Sequence, residues 1–180
     1  MRGGPPLLVG ALGLGSLGDA FLAWDDETSF LCGLGSFLVA HLLYIAVFVQ
    51  HEGSGMQLQP KLDVLLNGWR AAATGGLTLL VPGMIASLVP RIGPELRLPV
   101  VVYSLVIFVM ALAALTLDST QVITGALMFA ASDSILAADR FLVPPTSPVR
   151  PLMQHAVWLL YYPGQLLIAV GFLSLGSTAS

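Results

Sequence analysis

Six runs of apolar residues, at about 5–24, 29–50, 68–90, 98–117, 120–142 and 153–175, follow one another along this chain. A helix rises roughly 1.5 Å per residue, so some twenty residues match the roughly 30 Å of hydrocarbon in a bilayer. Inside lipid every backbone N–H and C=O must be bonded within the protein, and an isolated apolar run can achieve that only as a helix. Composition agrees, with 56% of residues hydrophobic and only 9% charged, far less charge than a soluble domain carries. The expected fold is therefore all-α: a multi-pass transmembrane bundle of about six helices, forming a single domain over residues 1–180. An even number of helices places both termini on one side. The first run is read as a retained helix rather than a secretory signal, because it contains Asp19 and leads into Trp24-Asp25-Asp26-Glu27 instead of a small-residue cleavage site.

Charge narrows the partners. Seven basic residues against ten acidic ones leave no basic patch for nucleic acid, which is not expected as a partner; the bilayer is. Arg2, Lys61 and Arg70 flank helices on one face, and Arg91, Arg97, Arg140 and Arg150 on the other; the positive-inside rule places the second group in the cytoplasm. The lone Cys32 excludes a disulfide framework. No cofactor or metal is expected, since His51 falls in a loop and His155 at a helix start, leaving His41 without companion ligands at depth. Neither a phosphate-binding glycine loop nor a nucleophile elbow is present.

Two aspartates are out of place in these runs. Asp19 lies in Ser16-Leu17-Gly18-Asp19-Ala20-Phe21-Leu22, and Asp133 in Ala130-Ala131-Ser132-Asp133-Ser134-Ile135-Leu136. A carboxylate at that depth costs several kcal/mol by insertion scales and demands a polar partner, a proton or a wet cavity, so the pair marks a functional site. Counting along the helices puts Asp19 about 8 Å and Asp133 about 13 Å from the same face, with Tyr161, Tyr162 and Gln165 at about 12–18 Å and His41 near the midplane. Helical spacing places Phe37, His41, Tyr44 and Phe48 on one stripe, Gly125, Phe129, Asp133 and Arg140 near another, and Trp158, Tyr161 and Gln165 near a third. One polar pocket, offset toward the loops at 25–28, 91–97 and 141–152, would serve them all. His41 fits an interhelical hydrogen bond as well as a site, and Tyr161, Tyr162 and Gln165 fit packing as well as lining. Arg140 can snorkel to head groups or pair with Asp133 two turns away.

The connectors are short except for His51–Asn67, where Gly53-Ser54-Gly55 and Gln59-Pro60 indicate a polar loop. Asp25, Asp26, Glu27, Glu52, Asp63, Glu95 and Asp118 are read as solvated loop acids. Gly10, Gly13, Gly15, Gly18, Gly33 and Gly35 in the first two helices indicate close helix–helix packing, and Pro82 and Pro163 interrupt the third and sixth helices.

The stretch Ser16-Leu17-Gly18-Asp19-Ala20-Phe21-Leu22-Ala23-Trp24, followed by Gly33-Leu34 and Ala40-His41-Leu42-Leu43-Tyr44, resembles the paired helices of the YhhN/TMEM86 membrane proteins, the lysoplasmalogenases. Leu98-Pro99-Val100-Val101-Val102-Tyr103 with Met110, Gly125-Ala126-Leu127-Met128-Phe129 running into Ser132-Asp133, and Tyr161-Tyr162 with Gln165-Leu166-Leu167 continue the resemblance in order. It implies hydrolysis of the vinyl ether bond of a lysophospholipid, lysoplasmalogen, to a fatty aldehyde and a glycerophospho head group. By the same resemblance Asp19 and Asp133 are the acid and base, and Tyr161 or Tyr162 with Gln165 positions water. His41 and Tyr103 support the acids, Tyr44 stands among the supporting residues, and Arg140 holds the phosphate. Family members usually have eight helices, with a Lys-Pro helix ahead of the Gly-Asp helix. This chain opens on the Gly-Asp helix, so the expectation is a bundle lacking that wall, whose exposed face a second copy could cover. Pro163-Gly164 also replaces the small pair usual before the glutamine. The alternative from another class is a proton-coupled carrier or lipid-binding membrane protein using Asp19, His41 and Asp133 as a relay.

Overall fold

A computed structural model describes residues 4–24, 26–51 and 58–178. Arg2, Asp25, Glu52 and Gly53-Ser54-Gly55 lie outside the described residues. The described chain forms helices α1 (Gly4–Leu22), α2 (Glu27–His51), α3 (Leu58–Leu65), α4 (Gly68–Leu88), α5 (Pro94–Leu115), α6 (Thr120–Phe141) and α7 (Arg150–Thr178). By length and composition α2, α4, α5, α6 and α7 are long and apolar enough to cross a membrane, and α1 contributes a shorter apolar stretch, Pro6–Leu22.

The connectors carry the chemistry that starts each helix. Asp26 accepts the Ser29 N–H at 2.8 Å and caps α2; the Ser29 hydroxyl first, and then that N–H, hold its exposed carboxyl below the usual carboxylate range. Ser119, in an extended conformation, accepts from the Val122 N–H and opens α6. Pro94 supplies a preset φ at the start of α5. Gly68, at φ +59°, makes the left-handed step between α3 and α4 that a side chain would resist.

Within the apolar helices, hydroxyls bond back to carbonyls four residues earlier, as Ser16 does to Leu12, Ser36 to Cys32, Ser104 to Val100 and Ser134 to Ala130. These serines therefore present a satisfied surface to lipid or to neighbouring helices.

Helix α3 corrects the expectation of an unstructured polar loop through Gln59-Pro60. Pro60 falls in its first turn, where the missing N–H has no helical partner to lose. Asp63 accordingly lies on a helix rather than in a loop, and Glu27 and Glu95 sit in the first turns of α2 and α5, where carboxylates favour the positive end of the dipole.

The most extensive helix contacts are α6 with α7 and α1 with α2; α5 then joins α2 to α6, and α4 lies outside against α5 and α6. Only a narrow contact joins α7 back to α1. Glycines set the two close pairs. Gly18 lies under the Phe37 ring and Gly33 under Leu22 and the Gly18 carbonyl, whereas Gly13 and Gly35 have nothing within 4 Å and do not pack as expected. Across the other pair, Gly125 faces the Gly164 carbonyl and Gly171 faces Gln121 and Val122. Tyr44, Phe48, Met110, Phe129 and Ile168 fill the centre, and a smaller cluster of Leu88, Ile92 and Val100 seals one end.

Candidate active site

Asp19 and Asp133 line one cavity of about 310 Å³. Its walls come from α1, α2, α4, α5, α6 and α7, and it lies toward the end of the bundle where α1 and α6 finish and α2 starts, with Ala23, Phe30, Arg140 and Phe141 at that end. The deeper wall is apolar, with Phe37, Ile107 and Ala130 among its members.

Each acid receives a tyrosine hydroxyl. Tyr103 on α5 donates to Asp133 Oδ2. Tyr161 on α7 donates to Asp19 Oδ2 at 3.0 Å. Behind Tyr161 the donation continues: Gln165 Nε2 donates to the Tyr161 hydroxyl at 3.1 Å, and Tyr44 on α2 donates to Gln165 Oε1. Tyr44, Gln165, Tyr161 and Asp19 thus form one directed chain crossing α2, α7 and α1, with each member donating to the next. The carboxylate is its terminal acceptor. Such chains polarise cumulatively in a low-dielectric interior. Gly15 makes room for it, because a Cβ there would stand 2.8 Å from Gln165 Nε2 and 3.3 Å from the Tyr161 oxygen.

His41 takes a different place. It is fully buried, its Nδ1 bonds the Phe37 carbonyl at 2.6 Å, and its ring meets those of Phe129 and Tyr103 edge-on at 4.7 Å and 5.5 Å. Its Nε2 has no hydrogen-bond partner among the described residues, and His41 is not among those that line the cavity. Tyr44 and Gln165 likewise stand behind the lining, connected to it through Tyr161. Tyr162 points elsewhere: its ring is 48% exposed, stacked on Trp158 at 5.0 Å, and it too is absent from the lining. Arg140 does line the cavity, but its guanidinium lies over the Phe30 ring, 4.4 Å from the centroid. Asp133 takes the Tyr103 hydroxyl instead of pairing with it.

Trp158, on the same stripe as Tyr161, lines the cavity, whereas helical spacing assigned no role to Ser104 and Ser132 in the lining or to the ion pair of Asp139 with Arg150 beside it. Ser132 donates to the Val157 carbonyl at 3.1 Å and ties α6 to α7 just before Asp133. Its position beside the intramembrane acid was the available signal. For the ion pair the signal was an acid in the last turn of one apolar helix facing a base at the start of the next.

Residues 2–172 match the model of the YhhN family. The chain belongs to the YhhN family. With five helices able to cross a membrane, this YhhN-family chain is a multi-pass integral membrane protein. It is 34% identical over 168 residues to "Lysoplasmalogenase TMEM86B" of Homo sapiens, covering 93% of this chain and 63% of that protein. "Lysoplasmalogenase" of Mycobacterium tuberculosis is 32% identical over 169 residues, covering 92% of this chain and 59% of the relative. "Lysoplasmalogenase TMEM86A" of Bos taurus is 32% identical over 166 residues, covering 86% and 60%. The chain therefore spans about three-fifths of the length of the curated relatives it matches. No solved structure matches it.

Proposed function

We propose that this YhhN-family chain is a membrane hydrolase that cleaves the vinyl ether bond of lysoplasmalogen, releasing a fatty aldehyde and a glycerophospho head group. The observation that carries the reading is the shared cavity of Asp19 and Asp133, each held by its own tyrosine. The relatives' names, lysoplasmalogenase in each case, support the same reaction class. Hydrolysis begins with a proton delivered to the outer alkene carbon, giving an oxocarbenium ion. Water adds to that cation and loses a proton to a base. The resulting hemiacetal collapses to aldehyde and alcohol, so one water is consumed and no other reactant is needed. One neutral carboxylic acid and one carboxylate suffice.

The hydrogen bonds favour an assignment of roles. Asp19 ends a chain of three donors in series, which stabilises its anion. Asp133 receives one donor, Tyr103, among the described residues, and no chain of donors stands behind it. Asp133 is therefore the proton donor and Asp19 the base that activates water, with Tyr103 and Tyr161 as positioning residues. The apolar cavity accommodates the alkenyl chain and keeps bulk water from the cation. The carrier alternative is not favoured, because His41 stands outside the cavity with Nδ1 committed to a carbonyl.

The test is aldehyde release from lysoplasmalogen by purified protein, run beside solute uptake into proteoliposomes. Aldehyde and glycerophospho head group should appear in equal amounts, with no uptake. Uptake without aldehyde would replace the hydrolase by the carrier.

A further inference from the structure

Arg140 is a cation without an acid. It sits in the last turn of α6, half-buried, with its guanidinium over Phe30, and no carboxylate pairs with it among the described residues. The neighbouring Asp139 is only 4% exposed, and it is already taken. Arg150 donates to it in a fork, Nε to Oδ1 at 3.0 Å and Nη2 to Oδ2 at 3.2 Å. Those two charges cancel, and the positive charge of Arg140 is left over.

Arg140 also stands on a boundary. Together with Phe141 it lines both the apolar cavity that holds the two aspartates and a second, polar pocket formed by the α6–α7 connector and the start of α7. Thr146, Ser147, Arg150 and Gln154 contribute to that second pocket. An apolar chamber and a polar one, joined at a single unpaired guanidinium, match the two ends of an amphiphile.

We propose that the polar pocket is a head-group subsite that takes the phosphodiester of a lysophospholipid, with Arg140 as its charge partner. This rests on the hydrolase reading above. A phosphodiester carries one negative charge, the amount left uncompensated here, and the planar guanidinium fork suits its paired oxygens. Hydroxyl and amide groups of Thr146, Ser147 and Gln154 supply further donors, while Asp139 holds Arg150 in place at the rim.

Distance along α6 agrees with the length of the ligand. Asp133 and Arg140 lie seven residues apart, two turns on one face, or roughly 10 Å of rise. In a lysolipid with a 1-alkenyl chain, seven bonds separate the phosphorus from the outer alkene carbon, a reach of roughly 8 Å at the advance per bond of an extended chain. A phosphate held at Arg140 therefore places the alkene at the level of Asp133, and the remaining chain runs on toward Phe37, Ile107 and Ala130. The same spacing makes the two sites a ruler for where the cleaved bond lies.

The experiment measures binding by the intrinsic fluorescence of Trp158, which lines the cavity, in a maltoside detergent that carries no phosphate. Three ligands are compared: a non-hydrolysable 1-O-alkyl lysophospholipid, the matching 1-O-alkylglycerol without phosphate, and inorganic phosphate. The wild-type protein should bind the phospholipid at least roughly tenfold more tightly than the alkylglycerol, the size expected for a charge-assisted hydrogen bond. Arg140→Gln should abolish that difference, and Arg140→Lys should restore part of it. Equal binding of the two lipids by wild-type protein overturns the subsite without any variant having to fold. Displacement of the phospholipid by millimolar inorganic phosphate overturns the lipid assignment and makes the pocket a free-anion site. Because these ligands report binding apart from turnover, phosphate-dependent binding by a protein that releases no aldehyde from lysoplasmalogen would refute the hydrolase reading and leave the subsite standing.

Discussion

Gly125→Ala adds one methyl group at the contact where α6 and α7 approach most closely. Its Cβ would stand 2.6 Å from the Gly164 carbonyl oxygen and 2.9 Å from the Ile168 backbone N. Backbone atoms cannot swing aside as a side-chain tip does. Ordinary contact begins near 3.4 Å, so α7 must retreat by about 0.8 Å. Gln165 lies between the two points of collision and moves with them, whereas its partner Tyr44 is on α2. Tyr161, one turn earlier, is likewise drawn from Asp19 on α1, stretching a bond now at 3.0 Å. Overpacking of this kind costs about 1–3 kcal/mol in stability. Displacing catalytic groups by something near 1 Å costs up to about a hundredfold in rate. The measurements are melting temperature in detergent and aldehyde release, with Gly75→Ala as the control. No atom lies within 4 Å of a Cβ at Gly75, so there alanine should be neutral or stabilise α4 by roughly 0.5–1 kcal/mol. A Gly125→Ala protein that melts and turns over like wild type would refute the reasoning, as would equal damage from Gly75→Ala.

Asp19→Asn and Asp133→Asn should each lower turnover by about a hundredfold or more, since the amide keeps the shape but cannot exchange the proton; melting temperature checks that both still fold. Tyr103→Phe removes the one donor to Asp133 and should slow aldehyde release on the order of tenfold with little change in expression. Tyr44→Phe leaves Gln165 Oε1 buried without its donor, and a loss of about 1–3 kcal/mol should appear in thermal melts. Arg150→Ala strands the carboxylate of Asp139, whose side chain is 6% exposed, and should cost on the order of 3 kcal/mol. Asp139→Asn with Arg150→Gln in one chain should recover part of that loss.

The all-helical membrane bundle was legible because backbone bonding in lipid leaves an apolar run few alternatives. The level of Asp19, Asp133 and Tyr161 was legible for a similar reason, since depth follows from counting residues along a helix; Tyr103 was singled out only by the family resemblance. Facing was harder. Tyr161 and Tyr162 are adjacent and so point about 100° apart; the former reaches the cavity while the latter stacks on Trp158. Nothing in that dipeptide says which faces inward. Spacing within α6 also allowed Arg140 to approach Asp133, but the choice was decided by residues of other helices, Phe30 and Tyr103. The Asp139–Arg150 pair depends on the path of the α6–α7 connector, and periodicity carries no information about such a path. Helix α3 escaped because proline reads as a breaker unless the helix start is known. The glycine-rich character of α1 and α2 pointed to packing, yet only some of those glycines face a neighbour, since six glycines on two helices cannot all share one side.

The two tight helix pairs have a mechanical consequence. Asp19 belongs to the α1–α2 pair, while Asp133, Tyr161 and Gln165 belong to the α6–α7 pair. Each pair is held internally by close glycine contacts; between them α1 and α7 touch only narrowly, α5 joins α2 to α6, and the Tyr44–Gln165, Tyr161–Asp19 and Phe37–Phe129 contacts complete the link. The link between the pairs is thus made by side chains around the cavity that the two carboxyls share. A change in bilayer thickness or lateral pressure that tilts one rigid block against the other alters the gap between the acids while leaving the interior of both blocks intact. The surrounding lipid then acts on the chemistry as a load on a hinge, beyond its part as solvent.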